Sequence, residues 1–328
     1  MNSLSDGFGR KIEYLRLSIT DRCDFRCIYC MSEDPCFLAR EQVLSLEELA
    51  FIGRAFTELG VSKIRLTGGE PLVRSDCDRL VAQLAALPGL KDLSMTSNGS
   101  RLAKLAPALK AAGLNRLNIS LDTLKSELFT TLTRNGKLER VLKGIDAAKA
   151  AGFDRIKINA VILKGRNENE IIDLLEYCRQ KQLDIAFIEE MPLGVMEERS
   201  LPRHMSSSDV REIINQRWPL SLSSKRTGGP ARYYSMADSP IHIGFISPHS
   251  HNFCHECNRV RVTAEGRLLL CLGNEHSLDL KQIIRSHPGD IDVLKQAIFE
   301  AIQRKPKEHH FDDPNQVQIL RFMNSTGG

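Results

Sequence analysis
Six of the nine cysteines in this 328-residue chain fall in two trios, Cys23-x3-Cys27-x2-Cys30 and Cys254-x2-Cys257-x13-Cys271. An iron–sulfur cluster is normally held by four thiolates, so a trio leaves one iron free to bind something that is not protein. Two trios point to two metal centres, each open on one side. The three ligands of the first trio are too close in sequence to sit on separate elements and must wrap one cluster from one loop. Zinc is the alternative. Cys254-x2-Cys257 also opens many zinc ribbons, and His249, His251, His255 and His276 are nearby candidates for a fourth ligand, though each also reads as a solvated loop histidine. Cys36, Cys77 and Cys178 lack such partners and read as small buried or surface residues.

The elements that would position these residues are legible in the first 190 residues. Strand-like runs at 15–20, 63–67, 92–96, 116–121, 155–162 and 184–190 alternate with helical patterns such as 45–59 and 168–181. Ser45-Leu46-Glu47-Glu48 reads as a capping-box helix start, and Gly60, Gly113 and Gly152 sit where helices should end. Six βα repeats imply a parallel sheet, too few for a closed eight-stranded barrel, so the expected fold is α/β, a partial (β/α)6 barrel open on one side. The reactive face of a parallel barrel is the C-terminal edge of its strands. There fall the first Cys loop, Gly68-Gly69-Glu70-Pro71 and Thr96-Ser97-Asn98-Gly99. After Met191-Pro192-Leu193-Gly194 the pattern changes: 221–230 is loop-like, and helices are expected to return only near 290–304. The domain reading is therefore 1–190 for the barrel and 191–328 for an extension carrying the second trio.

Composition bounds the partners. A net charge of +4 is too small to argue for nucleic acid, although basic residues can be focused locally on an anionic small molecule. No run of eighteen apolar residues is present, and Met1 to Arg10 lacks an apolar signal core and carries Asp6. A cytoplasmic chain with reduced thiols is expected, with no membrane or nucleic-acid partner.

The spacing CxxxCxxC with Tyr29 before the last Cys, followed by Gly68-Gly69-Glu70-Pro71 after a strand, resembles the radical S-adenosylmethionine (SAM) superfamily. With Cys254-x2-Cys257-Asn258-Arg259-x-Arg261, a third Cys thirteen residues on, and a chain ending in Gly327-Gly328, the sequence is similar over nearly its whole length to the GTP 3′,8-cyclases of molybdenum cofactor biosynthesis, the MoaA family. Ser32 and Thr326 depart from the residues common there, Pro and Ile, at positions that ligate no cluster.

The resemblance implies two 4Fe-4S clusters, one on Cys23, Cys27 and Cys30 with SAM and one on Cys254, Cys257 and Cys271 with substrate. Tyr29, Gly69, Ser120 and Met191 would contact SAM. Arg16, Arg65, Thr96, Lys157, Arg259, Val260 and Arg261 would contact GTP, Arg259 and Arg261 also serving the reaction. The implied chemistry is reductive cleavage of SAM, hydrogen removal from ribose C3′ of GTP, and closure of C3′ onto guanine C8. Implied partners are a flavodoxin- or ferredoxin-type electron donor and cyclic pyranopterin monophosphate synthase as product acceptor, with a homodimer left open. The rival readings are a peptide-modifying two-cluster maturase and a non-catalytic iron–sulfur or zinc protein.

Overall fold
A computed structural model describes residues 4–191, 204–251, 253–309 and 321–327. The barrel half contains β1 (Tyr14–Ser18), α1 (Leu46–Glu58), β2 (Lys63–Thr67), α2 (Cys77–Ala85), β3 (Asp92–Ser97), α3 (Leu102–Ala111), β4 (Arg116–Ser120), α4 (Ser126–Thr133), α5 (Leu138–Ala150), β5 (Ile156–Ile162), α6 (Ile171–Lys181) and β6 (Asp184–Glu189). Then follow α7 (Ser207–Asn215), β7 (Ser221–Leu222), β8 (Arg232–Met236), β9 (Ser239–Ile246), β10 (Arg259–Val262), β11 (Arg267–Leu269), β12 (Ser277–Asp279), α8 (Leu280–Ser286), α9 (Ile291–Gln303) and α10 (Met323–Thr326).

All the strands join one sheet of order β12-β11-β10-β1-β2-β3-β4-β5-β6-β9-β8-β7. From β10 through β1 to β6 and on to β9 every neighbouring pair is parallel, and the hairpins β11–β12 and β7–β8 continue antiparallel at the two edges. No ladder among the described residues joins β9 to β10, so the barrel is open. The six expected strands form its centre. The C-terminal region flanks them on both sides, which the sequence reading did not include. Helices also return earlier than expected, at α7 and α8. Ser206 caps α7 by accepting from Asp209 N, a local signal that lay in the sequence.

Local chemistry explains the elements. Ser45 Oγ accepts from Glu48 N at 3.1 Å while Glu48 Oε2 accepts from Ser45 N at 2.8 Å, closing the expected capping box of α1. The outer face of each strand is apolar, as in Leu15, Leu17, Ile64, Leu66, Leu93, Met95, Leu117 and Ile119, all buried against the helices. Alternation leaves the other face of these strands polar and turned into the barrel.

Candidate active site
The loop 19–31 follows β1, and the 68–70 turn follows β2 at the same end. The two are joined backbone to backbone: Gly69 N donates to Thr20 O at 2.9 Å and Glu70 N to Arg22 O at 2.8 Å. A Cβ on Gly68 would lie 2.4 Å from Thr20 O, and one on Gly69 2.5 Å from Arg22 O, so both glycines are required by this close approach. Glu70 is buried beneath them. It accepts from Leu72 N (3.1 Å), Ser97 Oγ (2.8 Å) and Asn98 N (2.6 Å), and burial pushes its carboxyl up to about 7. Asn98 Nδ2 and Ser100 Oγ donate to Asp24 at 2.7 and 2.8 Å, tying the Cys loop to the end of β3. On the other side Tyr29 Oη donates to Asp122 Oδ2 at 2.7 Å, and Asp122 Oδ1 accepts from Val161 N at 2.8 Å. Burial pushes Asp122 up to about 6.

The three thiols of this loop fit a metal cluster by the chemistry of their donor set. Burial, then neighbouring thiols and carboxylates, push Cys23 and Cys27 up, and burial pushes Cys30 up to about 12. Three such thiols ionise together only when a cationic core offsets their charge. Among the described residues no group of three His, Cys, Asp or Glu side chains is arranged to hold a single metal ion.

The barrel interior is cationic, and strand register shows how. Arg261 of β10 pairs with Arg16 of β1, which pairs with Arg65 of β2, which pairs with Ser94 of β3. Three guanidinium groups thus stand side by side on one face across three parallel strands. A second row runs Thr96, Asn118, Lys157, Asp184 across β3 to β6. Ser94 and Thr96, two apart on β3, link the rows. Like charges in adjacent register repel, and the groups register the strain. Burial and then Arg261 drive Arg16 well below the usual guanidinium range; burial and then Arg259 bring Arg261 down to about 10; burial, then Arg65 and Arg116, bring Lys157 down to about 7.

Around these cations Tyr14 Oη, Thr67 Oγ1, Thr96 Oγ1, Asn118 Nδ2 and Asn159 Oδ1 are buried without hydrogen-bond partners. Each such atom costs about 1–3 kcal/mol. By the two-residue period they share the inward face with Arg16, Arg65 and Lys157. The interior is therefore built for a ligand that is both polyanionic and rich in hydrogen-bonding groups.

The second trio lies beside β10. Cys254 and Cys257 bracket a single 3-10 turn, and Cys271 follows β11. Burial pushes Cys254 up. At Cys257 burial is outweighed by Lys305 and Arg259, and the thiol falls to about 7. Arg259 Cζ sits over the Phe253 ring at 5.0 Å from its centroid. Arg261 Nη1 donates to Gly327 O at 2.5 Å, which brings the end of the chain into the barrel mouth. Gly328 lies outside the described residues. Of the histidines, His249 Nε2 is 2.9 Å from Glu190 O and His255 Nε2 is 3.5 Å from Glu256.

The remaining expected residues divide by position. Ser120 ends β4 and Met191 follows β6, both half-buried at the strand ends. Val260 points the other way: its side chain belongs to the hydrophobic core, so any ligand contact there falls to its backbone. Cys77 and Cys178 are buried in the core, and Cys36 is exposed. The sequence reading named no role for Asp24, Asp122 or Lys305, and took Glu70 only as part of the Gly68-Gly69-Glu70-Pro71 motif. Glu70 and Asp122 had a signal, a carboxylate within three residues of a strand end at the reactive edge; Lys305 had none.

A parallel barrel open on one side, with a CxxxCxxC loop locked to a GGEP turn at its strand ends, defines a radical SAM fold. The Radical SAM superfamily model matches residues 17–178, and the Molybdenum Cofactor Synthesis C model matches residues 183–311. Over 328 residues the chain is 59% identical to a GTP 3′,8-cyclase of Pseudomonas entomophila, covering 99% of this chain and 98% of that one. It is 59% identical over 326 residues, with the same coverage, to GTP 3′,8-cyclase 2 of Pseudomonas aeruginosa. The chain belongs to the GTP 3′,8-cyclase family of radical SAM enzymes, with which come 4Fe-4S clusters and SAM. Among solved structures, Streptococcus suis SuiB bound to S-adenosylmethionine superposes with a TM-score of 0.61 at 18% identity over 89% of this chain and 68% of that chain. SuiB bound to precursor peptide SuiA gives 0.64 at 16% identity over 89% and 66%. These two likenesses speak for the fold alone.

Proposed function
We propose that this chain is a GTP 3′,8-cyclase that converts GTP and SAM to (8S)-3′,8-cyclo-7,8-dihydroguanosine 5′-triphosphate, an early step of molybdenum cofactor biosynthesis. The observation that carries the reading is the row Arg261–Arg16–Arg65, joined across β3 to the row that holds Lys157, a cationic lining turned into the barrel. When bound, a cluster on Cys23, Cys27 and Cys30 would supply the electron for reductive cleavage of SAM, and one on Cys254, Cys257 and Cys271 would supply an open iron to the substrate.

The chain's own residues do the rest by holding and orienting. Arg16, Arg65, Lys157 and Arg261 hold the triphosphate, guanidinium forks being suited to phosphate oxygens. Thr96 and Asn118 satisfy their unpaired atoms on the nucleotide. Arg259, beside the second trio, sets the base against that end of the barrel, with the backbone of Val260. Tyr29, Gly69, Ser120 and Met191 hold SAM at the strand ends, and Asp122 fixes Tyr29. Residues 1–190 form the barrel that carries the first cluster and much of the substrate lining, and 191–328 the extension that carries the second cluster and adds the contacts of Arg259, Val260 and Arg261. A flavodoxin- or ferredoxin-type protein in the cytoplasm supplies electrons, and cyclic pyranopterin monophosphate synthase takes the product. No described helix is long and apolar enough to cross a membrane.

The test is one anaerobic incubation of cluster-loaded protein with GTP, SAM and reductant, followed by mass spectrometry. A nucleotide isomeric with GTP, formed with 5′-deoxyadenosine, is expected. SAM cleavage that leaves GTP unchanged would overturn the proposal.

A further inference from the structure
Lys305 follows α9 and is 2% exposed. Its Nζ donates to Arg259 O at 3.1 Å and also to Leu270 O. The two carbonyls belong to the two arms of the second trio: Arg259 lies two residues after Cys257, and Leu270 immediately precedes Cys271. Cys257 Sγ lies 3.9 Å from the same Arg259 oxygen that Lys305 touches at 3.1 Å. The ammonium therefore bridges both arms and stands next to a ligand thiol.

Arg10, another cation at this end, pairs with Asp6 at 2.6 Å before its remaining donors reach Cys254 O, Pro306 O and Lys307 O. Among the described residues no carboxylate pairs with Lys305. A buried ammonium with only carbonyl partners is costly unless a fixed negative charge lies near. Three thiolates around an iron–sulfur core carry that charge, and one-electron reduction adds another. The net charge around a cluster and the hydrogen bonds beside it are what set its potential.

We propose that Lys305 is a positioning residue and fixed counter-charge for the C-terminal cluster, holding its two Cys arms together and raising its reduction potential. The proposal rests on the two-cluster reading. The redox step is the transfer of one electron from a chemical reductant to the cluster, with no bond or proton exchanged.

The test is an anaerobic potentiometric titration of the reconstituted full chain with dithionite, followed by electron paramagnetic resonance. The signal of this cluster is the one missing from Cys257→Ala. Lys305→Gln keeps a donor but removes the charge, and Lys305→Arg keeps the charge. Lys305→Gln is expected to lower the reduced-to-oxidised ratio at the parent's midpoint about tenfold, ~59 mV for one electron, whereas Lys305→Arg stays near the parent. Loss of the C-terminal cluster in Lys305→Gln with retention in Lys305→Arg supports the same role. A parent-like midpoint in Lys305→Gln, or loss of the cluster in both variants, would overturn it. A parent with no second four-iron signal would instead remove the two-cluster reading beneath it.

Discussion

Lys157 shows how a single side chain can report on the whole site. In the free protein burial, with Arg65 and Arg116 near it, brings its amine from 10.5 down to about 7. A folded-state value depressed in this way contributes stability that is fully present above pH 10.5 and is lost as pH falls to about 7, because the folded protein resists a proton the unfolded chain accepts. A bound triphosphate reverses the preference, since anionic oxygens favour the ammonium. GTP binding at pH 8 is therefore expected to take up a fraction of a proton, and affinity to fall as pH rises above about 7. Calorimetry in buffers of different ionisation enthalpy reads the uptake directly. Equal apparent enthalpies in all buffers would take Lys157 out of the phosphate site. The residue types here were readable from sequence, but the shift was not, because it arises from neighbours on β2 and β4 that only the register brings together.

At the scale of elements, the two Cys trios are carried by different parts of one sheet, and their losses should separate. The first trio sits on the loop after β1, held by the turns after β2 and β3; the second flanks β10 and β11. Cys27→Ala is expected to abolish 5′-deoxyadenosine formation while iron at the second site is retained. Cys257→Ala is expected to lose cyclised nucleotide yet keep uncoupled 5′-deoxyadenosine formation. Iron content and product analysis on both variants decide it, and identical behaviour with the other cluster intact would show the assigned division of labour to be mistaken. The six central strands and the α1 cap were legible because their signals are local: alternation, a Ser-x-x-Glu box, a glycine after the helix. β9 and β10 were not. Arg259–Val262 alternates as a strand should, but its parallel partner is β1, more than two hundred residues away, and no local pattern specifies such a pairing. The Arg row across β10, β1 and β2 was hidden for the same reason, although each of its residues had been singled out.

For the whole molecule, the end of the chain is part of the barrel it has just completed. Gly327 has φ 79°, its carbonyl accepts from Arg261 of β10, and a Cβ on it would lie 2.3 Å from Thr67 Oγ1 at the end of β2. Gly327 N donates to Met323 O, and Met323 N to Cys30 O, so the short α10 links the first Cys loop to the second half's cation. A tail ending in residues without side chains is ordinarily dispensable. Here a glycine is required twice, by a left-handed backbone and by the approach to Thr67. Deleting both terminal glycines, or Gly327→Val, leaves the sheet and both Cys trios untouched but frees Arg261 from its carbonyl partner, and a guanidinium that must be ordered anew holds phosphate less well. Folding, both clusters and SAM cleavage are expected to persist while GTP cyclisation falls by tenfold or more, about 1.4 kcal/mol at the least. The measurement that decides is cyclised nucleotide formed per 5′-deoxyadenosine released. A ratio and rate equal to those of the full chain would mean that Arg261 keeps its place without the tail, and that the contact with Gly327 is incidental to the reaction.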